Sequence, residues 1–298
     1  MLIYKLARVL IPKPLLRRIS HNQNAVIIMK LLDLFRLNQK VQSSDSSHLG
    51  EYEKLNRLTD ELDIKDGFVI DIAASDGYSQ SSTLGYFRRA GWSGLAVEMD
   101  PVKFSKLSFL YANYPTAKLA RNRVTPYNIK SLLSAYEVPK DISVLNLDID
   151  SYDLYVIEEM LKADYKPKII SMEVNEKIPS GIFFTVDFDD AHYWQVDHFY
   201  GCSLDAASLT VKPFGYILYA LEYNNAIFLR DDLADGVFED LSAENAYNIG
   251  YRNAANRKEL FYYNSDVDEW LDLSTDDCID SIREHFKKYE GKYTLRRV

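Results

Sequence analysis

The chain has 298 residues, 47% of them hydrophobic, and a formal net charge of −9 at pH 7. This length suffices for one α/β domain with additions. The negative charge would repel a phosphate backbone, so we expect no nucleic-acid partner. Cys202 and Cys278 are its only cysteines. Two cysteines exclude a disulfide framework and a cysteine-rich zinc site, and they favour a reducing, cytoplasmic compartment.

The charge is uneven along the chain. Residues 1–20 carry five bases and no acid, whereas residues 231–244 carry six acids and no base. The opening apolar run is too short for a membrane span. We expect it either to pack on the protein or on a second subunit of a homo-oligomer, or to contact the inner face of an anionic membrane peripherally. We predict a basic, helical N-terminal extension over residues 1–62, with helices over 25–37 and 51–62.

Two apolar runs after this extension predict a βαβ unit with an acid at the end of each strand. The first run, residues 68–70, ends at Asp71, and the second, residues 94–97, ends at Glu98. A helix is predicted between them over residues 84–90. In open α/β sheets a ligand binds outside the carboxyl ends of the strands, so both acids are expected to face a binding crevice.

Five further apolar runs predict the remaining strands of a seven-stranded sheet. They are residues 117–120, 142–147, 168–174, 216–221 and 226–229. Predicted helices alternate with them over residues 128–136, 154–163 and 204–211. This alternation is typical of a Rossmann-like, doubly wound α/β sheet. The last two strands are separated by only a few residues, so they are expected to pair as a hairpin with one antiparallel strand.

The predicted sheet divides the chain into three parts. Residues 63–233 form the predicted Rossmann-like domain, between the N-terminal extension and an acidic, partly helical C-terminal appendage over residues 234–298. In that appendage, Ser274 and the residues after it predict an N-cap before a helix over residues 279–288.

The first βαβ unit suits a nucleoside ligand. An acid at the end of the second strand can accept hydrogen bonds from both ribose hydroxyls, which makes Glu98 the ribose-binding candidate. The turn after the first strand has Ala73, Ser75 and Gly77 in place of the glycine fingerprint that seats a pyrophosphate. Asp71 would repel a pyrophosphate, but it suits the cationic amino acid half of S-adenosylmethionine. The alternative is that both acids are merely solvated.

This turn resembles motif I of class I methyltransferases, D-x-G-x-G-x-G, with two of the three glycines replaced by Ala73 and Ser75. The resemblance implies S-adenosylmethionine as the cofactor. The predicted cofactor-binding residues are Asp71, Ala73, Ser75, Asp76, Gly77, Glu98 and Met99.

A second group of acids follows the predicted fourth strand. Asp148 and Asp150 share one face because they are two residues apart in an extended segment. With Glu173 from the neighbouring strand they offer oxygen ligands that suit Mg²⁺. Alternatively, one aspartate is the general base for the hydroxyl that is methylated, or binds a substrate hydroxyl. We expect Asp153 to cap the helix that begins near residue 154.

The connection over residues 176–200 is long, as lids and binding loops often are. Its aromatic side chains, interleaved with acids, suit stacking on a sugar; the alternative is a hydrophobic plug at the sheet edge. A carbohydrate acceptor is therefore expected, with four substrate-binding candidates: Glu173, Asn175, Trp194 and Tyr200. His192 is a candidate catalytic base in addition to Asp148 and Asp150, and His198 is the alternative histidine, because an imidazole titrates near neutrality.

Four segments extend the resemblance over residues 66–233: LDIDSYDLYV, PKIISMEVNEKIP, HFYGCSL and NNAIFLRDDL. Together they resemble FkbM-like S-adenosylmethionine-dependent methyltransferases. That resemblance implies O-methylation of a glycan or another hydroxylated small molecule. Asp148 and Asp150 also resemble the acids of metal-dependent sugar O-methyltransferases, which implies assistance by a divalent metal such as Mg²⁺.

Two other functions stay open. One is a nicotinamide-dependent oxidoreductase, which the altered glycine fingerprint disfavours. The other is a non-catalytic interaction protein that has kept the fold without a cofactor pocket, which the replacements at Ala73 and Ser75 leave open.

Overall fold

Nine strands form two sheets in this computed structural model, which describes residues 49–234 and 236–298. The basic segment over residues 1–20 and the predicted helix over residues 25–37 lie outside the described residues. The strands are β1 (Gly67–Ile72), β2 (Trp92–Glu98), β3 (Ala117–Arg121), β4 (Asp141–Leu147), β5 (Lys166–Glu173), β6 (Ile182–Val186), β7 (Tyr216–Glu222), β8 (Asn225–Arg230) and β9 (Tyr293–Arg297).

The large sheet has the strand order β3-β2-β1-β4-β5-β8-β7. Strands β1 to β5 pair in parallel, whereas β8 is antiparallel to both β5 and β7. The reversal follows from the turn at Tyr223 and Asn224, which is too short for a parallel crossover. The predicted fold class, a doubly wound seven-stranded sheet with one antiparallel strand, is confirmed.

Ten α-helices accompany the strands within the described residues. They are α1 (Glu51–Glu61), α2 (Leu84–Phe87), α3 (Pro101–Tyr111), α4 (Ile129–Ala135), α5 (Asp153–Lys162), α6 (Leu204–Val211), α7 (Asp231–Ala234), α8 (Ala243–Tyr247), α9 (Arg257–Leu260) and α10 (Thr275–His285). Short 3₁₀ segments cover Lys212–Phe214, Tyr262–Asn264, Asp268–Asp272 and Lys287–Tyr289, and a π-helical turn covers Asn248–Arg252. None of the described helices is both long and apolar enough to cross a membrane.

Helices α2 and α3 are among those that differ from the prediction. Helix α2 ends at Phe87 and is shorter than the predicted span of 84–90. Helix α3 was not predicted, although its start has two clear signals. The Asp100 carboxylate accepts hydrogen bonds from the backbone N–H groups of Val102 and Lys103, both at 2.8 Å, and Pro101 occupies the first turn.

The main core lies on both faces of the large sheet. Successive residues of a strand point to opposite faces, yet Val69 and Ile70 of β1 are both fully buried, as are Val144 and Leu145 of β4. Burial on both faces is the expected state of parallel strands that are covered by helices. It explains why apolar residues predominate in these strands and do not alternate regularly with polar ones.

A second, smaller core joins the long connection after β5 to the C-terminal region. Strand β6, inside that connection, pairs antiparallel with β9 near the end of the chain. Helix α10 begins at Thr275, four residues earlier than predicted. The side chain of Ser274, just before it, accepts a hydrogen bond from the Asp277 N–H at 3.3 Å. Neither β6 nor β9 was predicted. All described residues belong to one unit of the chain, which begins at residue 46.

Candidate functional site

The predicted site residues come from strands that end at the same edge of the large sheet. Asp71 lies near the end of β1 and Glu98 ends β2. Asn146 lies near the end of β4 and pairs in register with Asp71, and Glu173 ends β5. Because these four strands are parallel, their carboxyl ends form one polar edge.

The loop after β1 keeps a backbone shape that normally requires glycine. Ala73, Ser75 and Gly77 have φ angles of 66°, 53° and 74°. The left-handed region costs an L-residue about 1–2 kcal/mol. At Gly77 a side chain is also excluded by space, because an added Cβ would lie 2.5 Å from Leu107 Cδ1 and 2.7 Å from Tyr111 Cε2. Ala73 and Ser75 therefore adopt a backbone conformation that glycine favours.

Glu98 is fixed by the backbone around it. Its side chain is buried, and its Oε2 accepts a hydrogen bond from the Ser75 N–H at 2.8 Å. Its Oε1 accepts one from the Asp100 N–H at 2.7 Å. A carboxylate oxygen has two acceptor sites, so each oxygen can still accept a further bond. The first loop and the predicted ribose-binding acid are thus parts of one arrangement.

Asp71 is buried and both of its oxygens have protein partners. Thr83 Oγ1 donates to Oδ2 at 2.6 Å, and Asn146 Nδ2 donates to Oδ1 at 2.9 Å. Burial raises the pKa of Asp71, and the hydrogen bonds from Thr83 and Asn146 oppose that rise. The Asp71 carboxylate therefore holds the side chains of Thr83 and Asn146 in place. A contact between Asp71 and the cofactor stays a prediction.

Asp76 and Met99 are the remaining predicted cofactor residues. Asp76 Oδ1 accepts hydrogen bonds from the N–H groups of Tyr78 and Ser79, at 3.0 and 2.7 Å, and so orders the turn. Met99 follows Glu98 and is 44% exposed. An exposed apolar side chain beside the predicted ribose acid suits the face of a base, whereas Asp76 has a local structural role in addition to any ligand contact.

The second predicted group of acids is brought together by the fold. Ligand oxygens of Asp148, Asp150 and Glu173 lie within 4.8 Å of one another. Glu173 Oε1 accepts a hydrogen bond from Asn224 Nδ2 at 2.8 Å, across the turn between β7 and β8. Its buried Oε2 has no hydrogen-bond partner among the residues that the structure describes. Such an oxygen suits a proton shared with Asp148 or a bound cation.

The electrostatics of this cluster follow from burial and like charge. Burial, and then the carboxylates of Asp150 and Asp153, raise the pKa of Asp148 to about 8. Burial, and then the carboxylates of Asp148, Asp150 and Asp153, raise the pKa of Glu173 well above its ordinary value. Strand β4 ends at Leu147 and Asp150 has a left-handed φ angle of 60°, so the predicted extended segment over these two aspartates was wrong, although the fold still brings them together. Adjacent buried carboxyl groups cannot all be ionised unless a cation compensates their charge; without a cation at least one of them holds a proton.

Asp153 lies in the same segment but has a structural role. Its Oδ1 accepts a hydrogen bond from the Ile149 N–H at 2.7 Å, and its Oδ2 accepts one from the Ser151 N–H at 3.1 Å. The predicted capping role was therefore wrong, because the carboxylate binds the loop before α5 and no side chain of the described residues caps that helix. Asp153 holds the shape of the segment that carries Asp148 and Asp150.

The predicted substrate residues Asn175 and Tyr200 hold the long connection in place. Asn175 Nδ2 donates to the carbonyl oxygens of His198 and Tyr200, both at 2.9 Å. The Tyr200 hydroxyl is buried and donates to Glu176 Oε2 at 2.6 Å. Trp194 is 39% exposed, and its ring lies 5.9 Å from that of Tyr200. Of these three, Trp194 has the surface that a sugar ring needs.

His192 lies in the same connection and is attached to the carboxyl edge through Arg123. The Arg123 guanidinium donates to the carbonyl oxygens of Asp190 and His192, the latter at 3.2 Å, and to the Tyr152 hydroxyl at 3.1 Å. The buried His192 Nε2 has no hydrogen-bond partner within the described part of the chain. Burial lowers the pKa of His192, so the ring is neutral at pH 7 and able to accept a proton.

Sequence reasoning missed a buried ion pair next to the site. The Lys177 ammonium lies 3.0 Å from Glu176 Oε1 and 2.9 Å from the Tyr200 hydroxyl. Asn264, from the C-terminal region, donates to Glu176 Oε1 at 2.7 Å. Burial alone would raise the pKa of Glu176, but Lys177 and these hydrogen bonds outweigh it and lower the pKa. The adjacent acid and base directly after β5 were the available signal.

Solved structures that are similar to this chain include methyltransferases. The N-terminal domain of EvdMO1 in the presence of SAH and D-fucose is 9% identical, with a TM-score of 0.41, and the match covers 66% of this chain and 95% of that one. An O-methyltransferase from Bacillus cereus in complex with SAH is 13% identical, with a TM-score of 0.41 and coverage of 76% and 94%. A putative caffeoyl-CoA O-methyltransferase from Staphylococcus aureus is 12% identical, with a TM-score of 0.43 and coverage of 67% and 91%. No protein-family model and no curated protein matches the sequence.

Proposed function

We propose that this chain is an FkbM-like S-adenosylmethionine-dependent methyltransferase that methylates an oxygen of a glycan or another hydroxylated small molecule. The observation that carries the proposal is the pairing of Ser75 with Glu98. A glycine-type loop after β1 donates its backbone N–H to the acid at the end of β2. The acid cluster of Asp148, Asp150 and Glu173 follows at the ends of β4 and β5.

The first half of the site suits the cofactor. Glu98 would accept hydrogen bonds from the ribose hydroxyls, and Met99 would cover one face of the adenine. Asp71 would contribute a negative potential for the cationic amino acid half. The sulfonium of the bound cofactor supplies the methyl group, and the protein mainly aligns donor and acceptor.

The second half of the site suits an acceptor hydroxyl. The acceptor oxygen attacks the methyl carbon, the carbon–sulfur bond breaks with its electron pair on sulfur, and the hydroxyl proton leaves to a base. Asp148 is one candidate base, because its raised pKa matches proton transfer near neutral pH once it is ionised. His192 is the other, since its Nε2 is free of partners within the described residues.

Divalent-metal assistance is a further part of the proposal. Asp148, Asp150 and Glu173 offer only oxygen atoms, the donor type that Mg²⁺ prefers. The unpartnered Glu173 Oε2 fits such an ion, which would remove the repulsion between the acids and orient the acceptor oxygen.

A sugar acceptor is supported by exposed aromatic side chains from two segments. Tyr193 and Trp194 come from the long connection, and Tyr262 and Tyr263 come from the C-terminal region; all four are exposed. Partial burial and then the Glu176 carboxylate raise the pKa of Tyr263. Aromatic faces beside carboxylates can stack on a sugar ring and bind its hydroxyls.

The proposal is tested by methyl transfer from a labelled donor to a panel of glycans. We expect the wild type to label an acceptor, and Asp148→Asn and Glu173→Gln to reduce the rate at least tenfold while binding of S-adenosylhomocysteine is retained. Asp276→Asn, which removes an exposed acid of α10, is the matched control. Full activity in both site variants would exclude the acid cluster from the reaction.

A further inference from the structure

A cluster of two histidines and one aspartate lies outside the site described above. One ligand atom from each of His198, Asp266 and His285 lies within 4.8 Å of the other two. His198 Nε2 is 3.0 Å from Asp266 Oδ1 and 3.1 Å from Oδ2. The two imidazole rings have centroids 5.5 Å apart. Three potential metal ligands therefore converge from segments that are far apart in the sequence.

The second core holds these three side chains in place. Each of the three is followed in the chain by a buried residue of that core: Phe199, Val267 and Phe286. The Trp270 ring, also in this core, packs edge to face with His285 at 5.3 Å. Ligands attached directly to packed core residues require little reorganisation when an ion binds.

We propose that His198, Asp266 and His285 form a binding site for a divalent transition metal ion such as Zn²⁺. Imidazole nitrogen and carboxylate oxygen together suit Zn²⁺, Co²⁺ and Ni²⁺, whereas Mg²⁺ prefers oxygen ligands alone. The Asp266 side chain is 60% exposed, so an ion can enter from solvent and keep water at its remaining position. The chemistry differs from that of the all-oxygen cluster at Asp148.

The location gives the ion a structural role. His198 belongs to the long connection after β5, and its carbonyl oxygen accepts the Asn175 hydrogen bond at the end of that strand. Asp266 and His285 belong to the C-terminal region. A shared ion would fasten these segments together and so stabilise the connection that carries Trp194 and Tyr200.

Cobalt titration of the full chain without a histidine tag tests this site. Co²⁺ bound to nitrogen and oxygen ligands absorbs visible light, and excess Mg²⁺ in the buffer keeps the oxygen cluster occupied. We expect one equivalent of Co²⁺ to develop this absorption and Zn²⁺ to displace it. Asp266→Asn and His285→Ala should each weaken Co²⁺ binding at least tenfold.

His192→Ala is the matched control, because it removes a half-buried histidine of the same connection that is not in the cluster. It should bind Co²⁺ as the wild type does. Circular dichroism checks that each variant is folded; if His285→Ala is unfolded, Asp266→Asn decides, since its side chain is mostly exposed. Wild-type absorption in Asp266→Asn, no absorption in the wild type, or equal loss in His192→Ala would overturn the proposal.

Discussion

The backbone N–H of Ser75 lies 2.8 Å from Glu98 Oε2, which joins the loop after β1 to the acid that ends β2. Ser75 reaches that carboxylate from a left-handed backbone, with a φ angle of 53°. The conformation of the loop and the position of the acid therefore depend on each other. A change in the loop backbone should alter cofactor affinity even where the substituted side chain contacts no ligand.

The first prediction concerns Ala73 and Gly77, which share a left-handed backbone but differ in surrounding space. Ala73→Gly relieves about 1–2 kcal/mol of backbone cost and loses about 0.5–1 kcal/mol to the freer unfolded chain, so the free energy of unfolding should rise by about 0–1.5 kcal/mol. Gly77→Ala should cost about 2 kcal/mol or more, because its Cβ meets Leu107 and Tyr111. Urea unfolding measures both; equal effects would contradict this reading of the loop.

The second prediction concerns the support of Asp71. Thr83→Val keeps the shape of the side chain but removes the hydroxyl that donates to Asp71 Oδ2 at 2.6 Å. A buried carboxylate that loses a donor should cost about 1–3 kcal/mol in the free energy of unfolding. Thr185→Val is the control, since that buried hydroxyl donates only to a backbone carbonyl at 3.3 Å. A smaller loss at Thr83 than at Thr185 would exclude Asp71 as an ionised, hydrogen-bonded group.

The third prediction concerns the acid cluster and pH. The pKa of Asp148 is raised from 3.8 to about 8 in the folded protein, so its contribution to stability is complete only below the unfolded pKa and is lost as the pH rises through the folded pKa. Without divalent cations, stability should fall between about pH 5 and 8, and Asp148→Asn should flatten that dependence. Adding Mg²⁺ near pH 8 should restore stability in the wild type more than in the variant. Parallel pH profiles for the two proteins would contradict the assignment.

The fourth prediction concerns the ion pair of Glu176 and Lys177. Lys177→Met leaves the Glu176 carboxylate buried without its cation, which should cost about 3–5 kcal/mol. Combining it with Glu176→Gln should recover part of that loss, because no unpaired charge then remains. Chemical denaturation of the single and double variants measures the coupling. A double variant that is less stable than Lys177→Met alone would contradict the view that the unpaired Glu176 charge causes the loss of stability.

The sheet could be predicted from sequence because its strands are buried on both faces. Runs such as residues 68–70 are continuous and apolar, and the short hairpin turn at Asn224 left only an antiparallel pairing. Helix α3 was missed although Asp100 and Pro101 mark its start, because its apolar residues lack a strong periodicity. Strands β6 and β9 could not be found by local patterns, since they pair with each other across about a hundred residues.

The positions of the candidate residues at strand ends could be predicted from the sequence, but the contacts between them could not. The sequence placed Asp71, Glu98, Asp148 and Glu173 at strand ends, and parallel pairing brings those ends to one edge. It did not reveal that Glu98 binds the loop backbone, or that Asn224 reaches Glu173 from the hairpin turn. Those contacts depend on register and on side-chain packing between distant segments, which local sequence patterns do not contain.

The central claim, that the carboxyl edge of the sheet binds S-adenosylmethionine with Glu98 on the ribose, is tested most directly by calorimetry with S-adenosylhomocysteine. We predict that the wild type binds one equivalent and that Glu98→Gln weakens binding about 10- to 100-fold, the effect of losing charge-assisted hydrogen bonds. An analogue without both ribose hydroxyls should bind wild type and variant with similar affinity. No binding by the wild type, or undiminished binding of S-adenosylhomocysteine by the variant, would contradict the account.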